Sequence, residues 1–340
     1  MRPWRAAARQ YNEFGMKRYG IAFFATALVV WAQVNLPSRQ VPPSRSTPAP
    51  KPVPAEDEFG GAARITLDVT RVNLLFTVSD KKGRFVTDLT KDDFDVSESK
   101  KTQKILEFTA ETDLPLRIGI LIDTSNSIRD RFRFQQEAAT EFVNSVIRPG
   151  QDKGMVISFD SATELVSDLT DSTEQLGKAI RNLRPGGGTS LYDAIYFACK
   201  EKLMEGDQAR DKSRRAIVVL TDGEDNDSRL SRAQALEMAH KADVVIYTIS
   251  TNISRIPTDG DKILRYFAEE TGGLAFFPFK SSDLAQSFEN IANELRHQYN
   301  VFYRPEPLNG DGLYHPVDIR IKNRKDLIVR ARHGYYAPKL

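Results

Sequence analysis

The 340-residue sequence predicts an α/β protein: a doubly wound, mostly parallel sheet of the Rossmann-like kind, flanked by a β-sandwich built from the segments before and after it. Three observations lead there. Between residues 115 and 298 nearly continuous apolar runs alternate with amphipathic helical stretches. On either side of that region the hydrophobic period falls to two and helical patterns vanish. Both changes of texture are abrupt, which marks them as borders.

Composition narrows the field further. Apolar residues make up 40% and charged residues 28%, values of an ordinary globular chain that exclude wholesale disorder and a multi-span membrane protein. Lysine and arginine number 48 against 46 aspartates and glutamates. Arg2, Arg5, Arg9, Lys17 and Arg18 face only Glu13 in residues 1–32, so the remainder is slightly acidic. A body so near neutrality has no electrostatic footprint for a nucleic-acid backbone. Cys199 is the sole cysteine, which excludes an intramolecular disulfide and multi-cysteine zinc sites. His240, His297, His315 and His333 lack the paired spacing of a metalloprotease.

The elements follow in order. Lys17 and Arg18 precede an uncharged run from Gly20 to Ala32. At 1.5 Å per residue it spans about 20 Å, short of the ~30 Å hydrocarbon core, as a secretory signal does. Val30 and Ala32 place small residues before a cut at Gln33; an uncleaved signal anchor is the other reading, and both imply export to the periplasm or beyond. Residues 33–61 form a proline-rich linker, an extended spacer or a plain tail. From 62 to 112 alternation at Val72, Leu74, Phe76 and Val78, then at Asp93–Ser97 and Lys104–Phe108 around a Ser99-Lys100-Lys101 turn, reads as a small β-module.

Residues 115–298 hold strands at Leu116–Ile122, Gly154–Phe159, Ala216–Leu220, Val244–Ile249 and Leu274–Phe279. Helical patterns lie between them at Phe132–Ile147, Glu174–Leu183, Leu191–Leu203, Arg232–Lys241, Lys262–Glu270 and Leu284–His297. Ile157 and Leu165, on either side of Asp160-Ser161-Ala162, predict one antiparallel edge. From 299 to 337 the period of two returns at Val301–Tyr303, at Val317, Ile319 and Ile321, and at Leu327–Val329. Neither β-piece buries much alone, so pairing into one sandwich is the first reading and two separate appendages the second.

Ligands of open α/β sheets bind beyond the carboxyl ends of the strands. Three loops collect oxygens there: Asp123-Thr124-Ser125-Asn126-Ser127, Pro185-Gly186-Gly187-Gly188-Thr189-Ser190, and Thr221-Asp222-Gly223-Glu224-Asp225-Asn226. Carboxylates and hydroxyls without imidazole or thiolate suit Mg²⁺, Mn²⁺ or Ca²⁺. Asp225 and Asp227 read as solvated loop charge, Cys199 as a core thiol, and His240 as a cation at a helix C-terminus.

Asp-x-Ser-x-Ser after the first strand, a threonine after a glycine-rich loop, and the aspartate of a later Thr-Asp-Gly together resemble the metal-ion-dependent adhesion site of von Willebrand factor type A domains. All five positions are filled: Asp123, Ser125, Ser127, Thr189 and Asp222. The resemblance covers about residues 115–298. Phe85-Val86-Thr87-Asp88-Leu89, Asp92-Asp93-Phe94 and His333-Gly334-Tyr335-Tyr336 are similar to segments of bacterial exported VWFA-related proteins. The resemblance implies that the three hydroxyls bind a cation directly and that Asp123 and Asp222 act partly through water. It also implies an open position for an Asp or Glu of a partner protein. No G-x-S-x-G elbow, P-loop or G-x-G-x-x-G is present, so no catalytic residue is assigned. A structural envelope protein whose metal stiffens loops is the alternative, and a metal-assisted hydrolase with Glu224 as base the more distant one.

Overall fold

The computed structural model describes residues 71–110, 114–204, 213–252 and 256–339. The leader expected over 1–32 and the linker over 33–61 lie outside the described residues. So does the start of the first β-module.

Leu116–Asp123 (β5) has a strand on each side and packs against both cores, and its middle, Ile118–Ile122, is apolar and buried. Its neighbours are Lys153–Phe159 (β6) and Arg214–Thr221 (β8), both parallel to it. Val244–Ser250 (β9) and Ala275–Phe276 (β10) extend the sheet on one side, and Thr163–Thr170 (β7) closes the other. The order is β10-β9-β8-β5-β6-β7. Only β7 runs antiparallel, with Leu165 opposite Ile157.

The period of two divides each strand between two cores. Ile118, Ile120, Ile122, Val218 and Leu220 pack beneath Phe132–Val146 (α1), Thr173–Asn182 (α2) and Ser281–Arg296 (α6). Leu121, Ile157, Ile217, Val219 and Ile246 face the other way. They meet Leu191–Phe197 (α3), Arg232–Lys241 (α4) and Asp259–Thr271 (α5). Each buried Ile or Val contributes roughly 1.5–3 kcal/mol of transfer free energy. Cys199 is fully buried here, and burial pushes its thiol pKa up.

Two sequence expectations are corrected. The run Leu274–Phe279 forms a strand only at Ala275–Phe276, because Pro278 has no N–H to donate to a ladder. The pattern Leu191–Leu203 is α-helical only to Phe197 and continues over Ala198–Leu203 as a wider π-turn, in which Met204 N donates to Cys199 O.

The flanking segments form one sandwich of two four-stranded sheets. Val72–Asp80 (β1) pairs with Tyr299–Tyr303 (β11) and Leu327–Ala331 (β13), and β11 pairs with Ile105–Thr109 (β4). In the second sheet Tyr314–Ile321 (β12) lies between Phe94–Glu98 (β2) and Gly334–Tyr336 (β14), with Lys101–Gln103 (β3) at the edge. Leu74 opposes Val301 and Ile319 opposes Val96, so early and late segments share both sheets. The reading of two separate appendages is thereby excluded. Ser99 and Lys100, both at positive φ, make the two-residue hairpin between β2 and β3.

The sandwich meets the α/β unit at the C-terminal ends of α4, α5 and α6. Helices run antiparallel to the strands, so this edge is opposite the strands' carboxyl ends. Arg330 pairs with buried Glu294 at 3.1 Å, and Thr77 donates to the same carboxylate. Arg332 pairs with Asp243 at 2.7 Å. His240 is not an exposed cation: it is buried with its ring 5.4 Å from that of Tyr314. Burial, with Arg332 adding repulsion, pushes its pKa down to about 4.

Candidate metal site

Two of the three oxygen-bearing loops follow β5 and β8, the glycine-rich third links α2 to α3, and backbone hydrogen bonds hold them together. Gly186 N donates to Thr124 O and Asn126 N to Gly187 O, which lays the glycine-rich loop against the turn after β5. Asn226 N and Asp227 N both donate to Thr189 O, and Thr189 N donates to the Asn226 side chain at 2.8 Å. Thr189 is therefore fixed between the other two loops, largely through its own peptide groups.

Four of the five candidate residues join in one chain of contacts. Ser125 N donates to Asp123 Oδ1 at 2.7 Å, the local turn that aspartate commonly forms two residues ahead. Ser125 Oγ and Ser127 Oγ are 3.0 Å apart, and Ser127 Oγ donates to Asp222 Oδ2 at 2.8 Å. Asp123, Ser125 and Thr189 are buried, Asp222 is half-buried and Ser127 is exposed, so the group opens to solvent at its Ser127 side.

Asp123 is fully buried, and its pKa is pushed up to about 6, chiefly by loss of solvation, with the Asp222 charge adding to the rise. Among the described residues neither Asp123 nor Asp222 forms an ion pair. Two carboxylates and two hydroxyls thus converge with no protein cation to balance them, a donor set that fits a hard divalent ion. Among the described residues no group of three or more His, Cys, Asp or Glu side chains is arranged to hold a metal, so any such site depends on the hydroxyls.

Three supporting residues escaped sequence reasoning. Thr221 donates its hydroxyl to Asp123 Oδ2 at 2.6 Å and accepts from Gly223 N. Asn226 is the side-chain anchor of Thr189. Asp225, expected as solvated charge, instead accepts from Tyr192 N at 3.0 Å and from Ser228 Oγ at 2.6 Å. With Ser228 Oγ, it accepts from the Tyr192 amide at the start of α3. Thr221 was legible in principle as the last residue of β8, which ends beside Asp123 at the end of the parallel strand β5. The other two act across more than thirty residues and leave no local signal.

An open α/β sheet with a metal-competent rim of oxygens defines a class of binding domain. Residues 118–224, within the α/β unit, match the family model of the von Willebrand factor type A domain. Domains of this family typically mediate protein–protein binding with a metal site and are mostly non-enzymatic. The chain is similar to integrin alpha-1 of Gallus gallus, 26% identical over 190 residues that cover 53% of this chain and 62% of the relative. It thus spans about three fifths of that protein's length. Among solved structures it is similar to proximal thread matrix protein 1 of the mussel byssus, described with a zinc-occupied MIDAS motif, at 18% identity and a TM-score of 0.46 over 58% of this chain and 49% of that one. A von Willebrand factor type A protein of Catenulispora acidiphila aligns at 13% identity and a TM-score of 0.45, over 71% and 75%. An aerotolerance-related membrane protein of Bacteroides fragilis aligns at 18% and 0.42, over 52% and 98%. Among the described residues no helix is long and apolar enough to cross a membrane.

Proposed function

We propose that this protein is an exported, metal-dependent protein-binding module. In this reading Asp123, Ser125, Ser127, Thr189 and Asp222 hold Mg²⁺, or Mn²⁺ or Ca²⁺, and a partner protein adds an Asp or Glu carboxylate. The observation that carries it is the unbalanced pair of carboxylates bridged through Ser125 and Ser127 at an open rim. A bound cation supplies charge neutralisation and an open coordination position. The chain's own residues set the rest: Ser125 and Ser127 offer neutral oxygens, the aspartates supply charge, and Asn226 fixes Thr189. Glu224 and Asp227 are exposed on the same loop, so the rim repels a bare carboxylate until a cation is bound.

Loop stiffening is a weaker reading, because Ser127–Asp222, Thr221–Asp123 and Asn126–Gly187 already tie the loops without an ion. Export rests on the basic-then-apolar segment of residues 1–32 and display on the linker over 33–61. We assign the domain itself to residues 115–298 and the sandwich to 62–112 and 299–337.

Thr189→Ala tests the proposal. In saturating Mg²⁺ the variant should capture far less partner from an envelope extract than wild type does, with unchanged circular dichroism, and chelator should reduce wild type to the same level. Equal capture by the variant in Mg²⁺ would overturn the carboxylate bridge.

A further inference from the structure

We infer that Gly260, on α5 and absent from the oxygen set, is a positioning residue for Asp222, and through it for the metal site; the inference rests on the metal reading above. A Cβ built on Gly260 would stand 2.2 Å from Asp222 O and 3.0 Å from Gly223 C. A Cβ on Gly223, whose φ is +83°, would stand 2.3 Å from Gly260 O. Real Cβ atoms essentially never approach other atoms within 3.0 Å. The first turn of α5 and the Asp222-Gly223 peptide therefore touch backbone to backbone, a closeness that only a glycine pair permits.

Nothing else accounts for glycine at 260. Its φ is not positive, so it occupies ordinary helical backbone, where alanine is the better helix former. The α5 start has its own cap: Thr258 Oγ1 accepts from Asp261 N, and Asp261 accepts in return from Thr258 N and also from Ser250 and Asn252. That network pins the helix to the end of β9, so α5 is a fixed wall rather than a yielding one. The Asp222 carboxylate meanwhile is aimed by Ser127 and by Glu224 N. Relieving an added methyl would move the Asp222 peptide by about 1 Å, whereas metal–ligand distances tolerate about 0.2 Å.

The test compares Mn²⁺ binding by calorimetry in the full chain for wild type, Gly260→Ala, Gly273→Ala and Asp222→Ala. Gly273 is an equally crowded glycine, its Cβ 2.2 Å from Ile246 O, but it follows the C-terminal end of α5, away from the site. Gly260→Ala should lose at least tenfold in affinity and Gly273→Ala less than twofold, even if both melt earlier. Loss in Asp222→Ala with wild-type affinity in Gly260→Ala would overturn the role of Gly260 alone. Wild-type affinity in Asp222→Ala would overturn the metal reading itself. Should Gly260→Ala fail to fold, hydrogen exchange on wild type decides: Mn²⁺ should slow exchange at the amides of residues 260–264, and unchanged rates there would refute the coupling.

Discussion

Thr221 and Asp123 end adjacent parallel strands, and the threonine hydroxyl donates to the carboxylate at 2.6 Å inside a fully buried junction. This bond does two things. It satisfies one oxygen of an aspartate that has lost its water, and it fixes how the first loop stands relative to the third. Thr221→Val keeps the shape and deletes the hydroxyl, leaving Asp123 Oδ2 and Gly223 N without that partner. Urea denaturation should show a loss of ~1–3 kcal/mol, and Mn²⁺ affinity should fall with it. No change in either quantity would refute the role given to Thr221.

The anchoring of Thr189 predicts a contrast within one loop. Asn226→Ala removes the side-chain acceptor of Thr189 N and should weaken Mg²⁺ binding about tenfold, equivalent to about 1.4 kcal/mol. Asp227→Asn removes an exposed charge and should leave Mg²⁺ binding nearly unchanged. Asp225→Asn should lower stability instead, because Asp225 serves the start of α3. Calorimetry on the three variants separates these outcomes.

His240 predicts an acid limit on stability at the junction with the sandwich. Its folded pKa is depressed to about 4 from an unfolded value near 6.5, so the unfolded chain binds the proton first. Stability should therefore rise with pH between about 4 and 6.5 and lose this slope above. His240→Phe should flatten the dependence in that window when melting is followed against pH. A variant with the wild-type slope would show that other groups govern it.

Glu294 and Arg330 make a charged contact between α6 and β13, with the carboxylate fully buried and raised in pKa chiefly by that burial. Arg330→Ala strands the carboxylate and should cost ~3–5 kcal/mol in chemical denaturation. Replacing both partners by leucine should cost distinctly less. Equal losses in the single and double variants would contradict a buried pair whose removal must be mutual.

The fold was legible where periodicity is strong. The split of Ile118, Ile120 and Ile122 from Leu121 follows from strand alternation alone, and Arg232–Lys241 appears with the bounds its pattern predicts. Legibility failed where one residue overrides a pattern, as Pro278 does to the last strand, or where partners are distant, as Asn226 is from Thr189. The hydroxyl and carboxylate types of the rim were readable because Asp-x-Ser-x-Ser concentrates them in five residues. The closeness of Gly223 and Gly260 was not, because each looks like an ordinary loop or helix glycine until the backbones are placed together.

The central claim is that the rim binds a divalent cation through Asp123 and its neighbours, and titration calorimetry with Mn²⁺ on wild type and Asp123→Ala tests it most directly. The account predicts one ion bound per wild-type chain and no measurable binding to a variant that keeps its circular dichroism and cooperative melting. A folded Asp123→Ala protein that binds Mn²⁺ with wild-type affinity would contradict it.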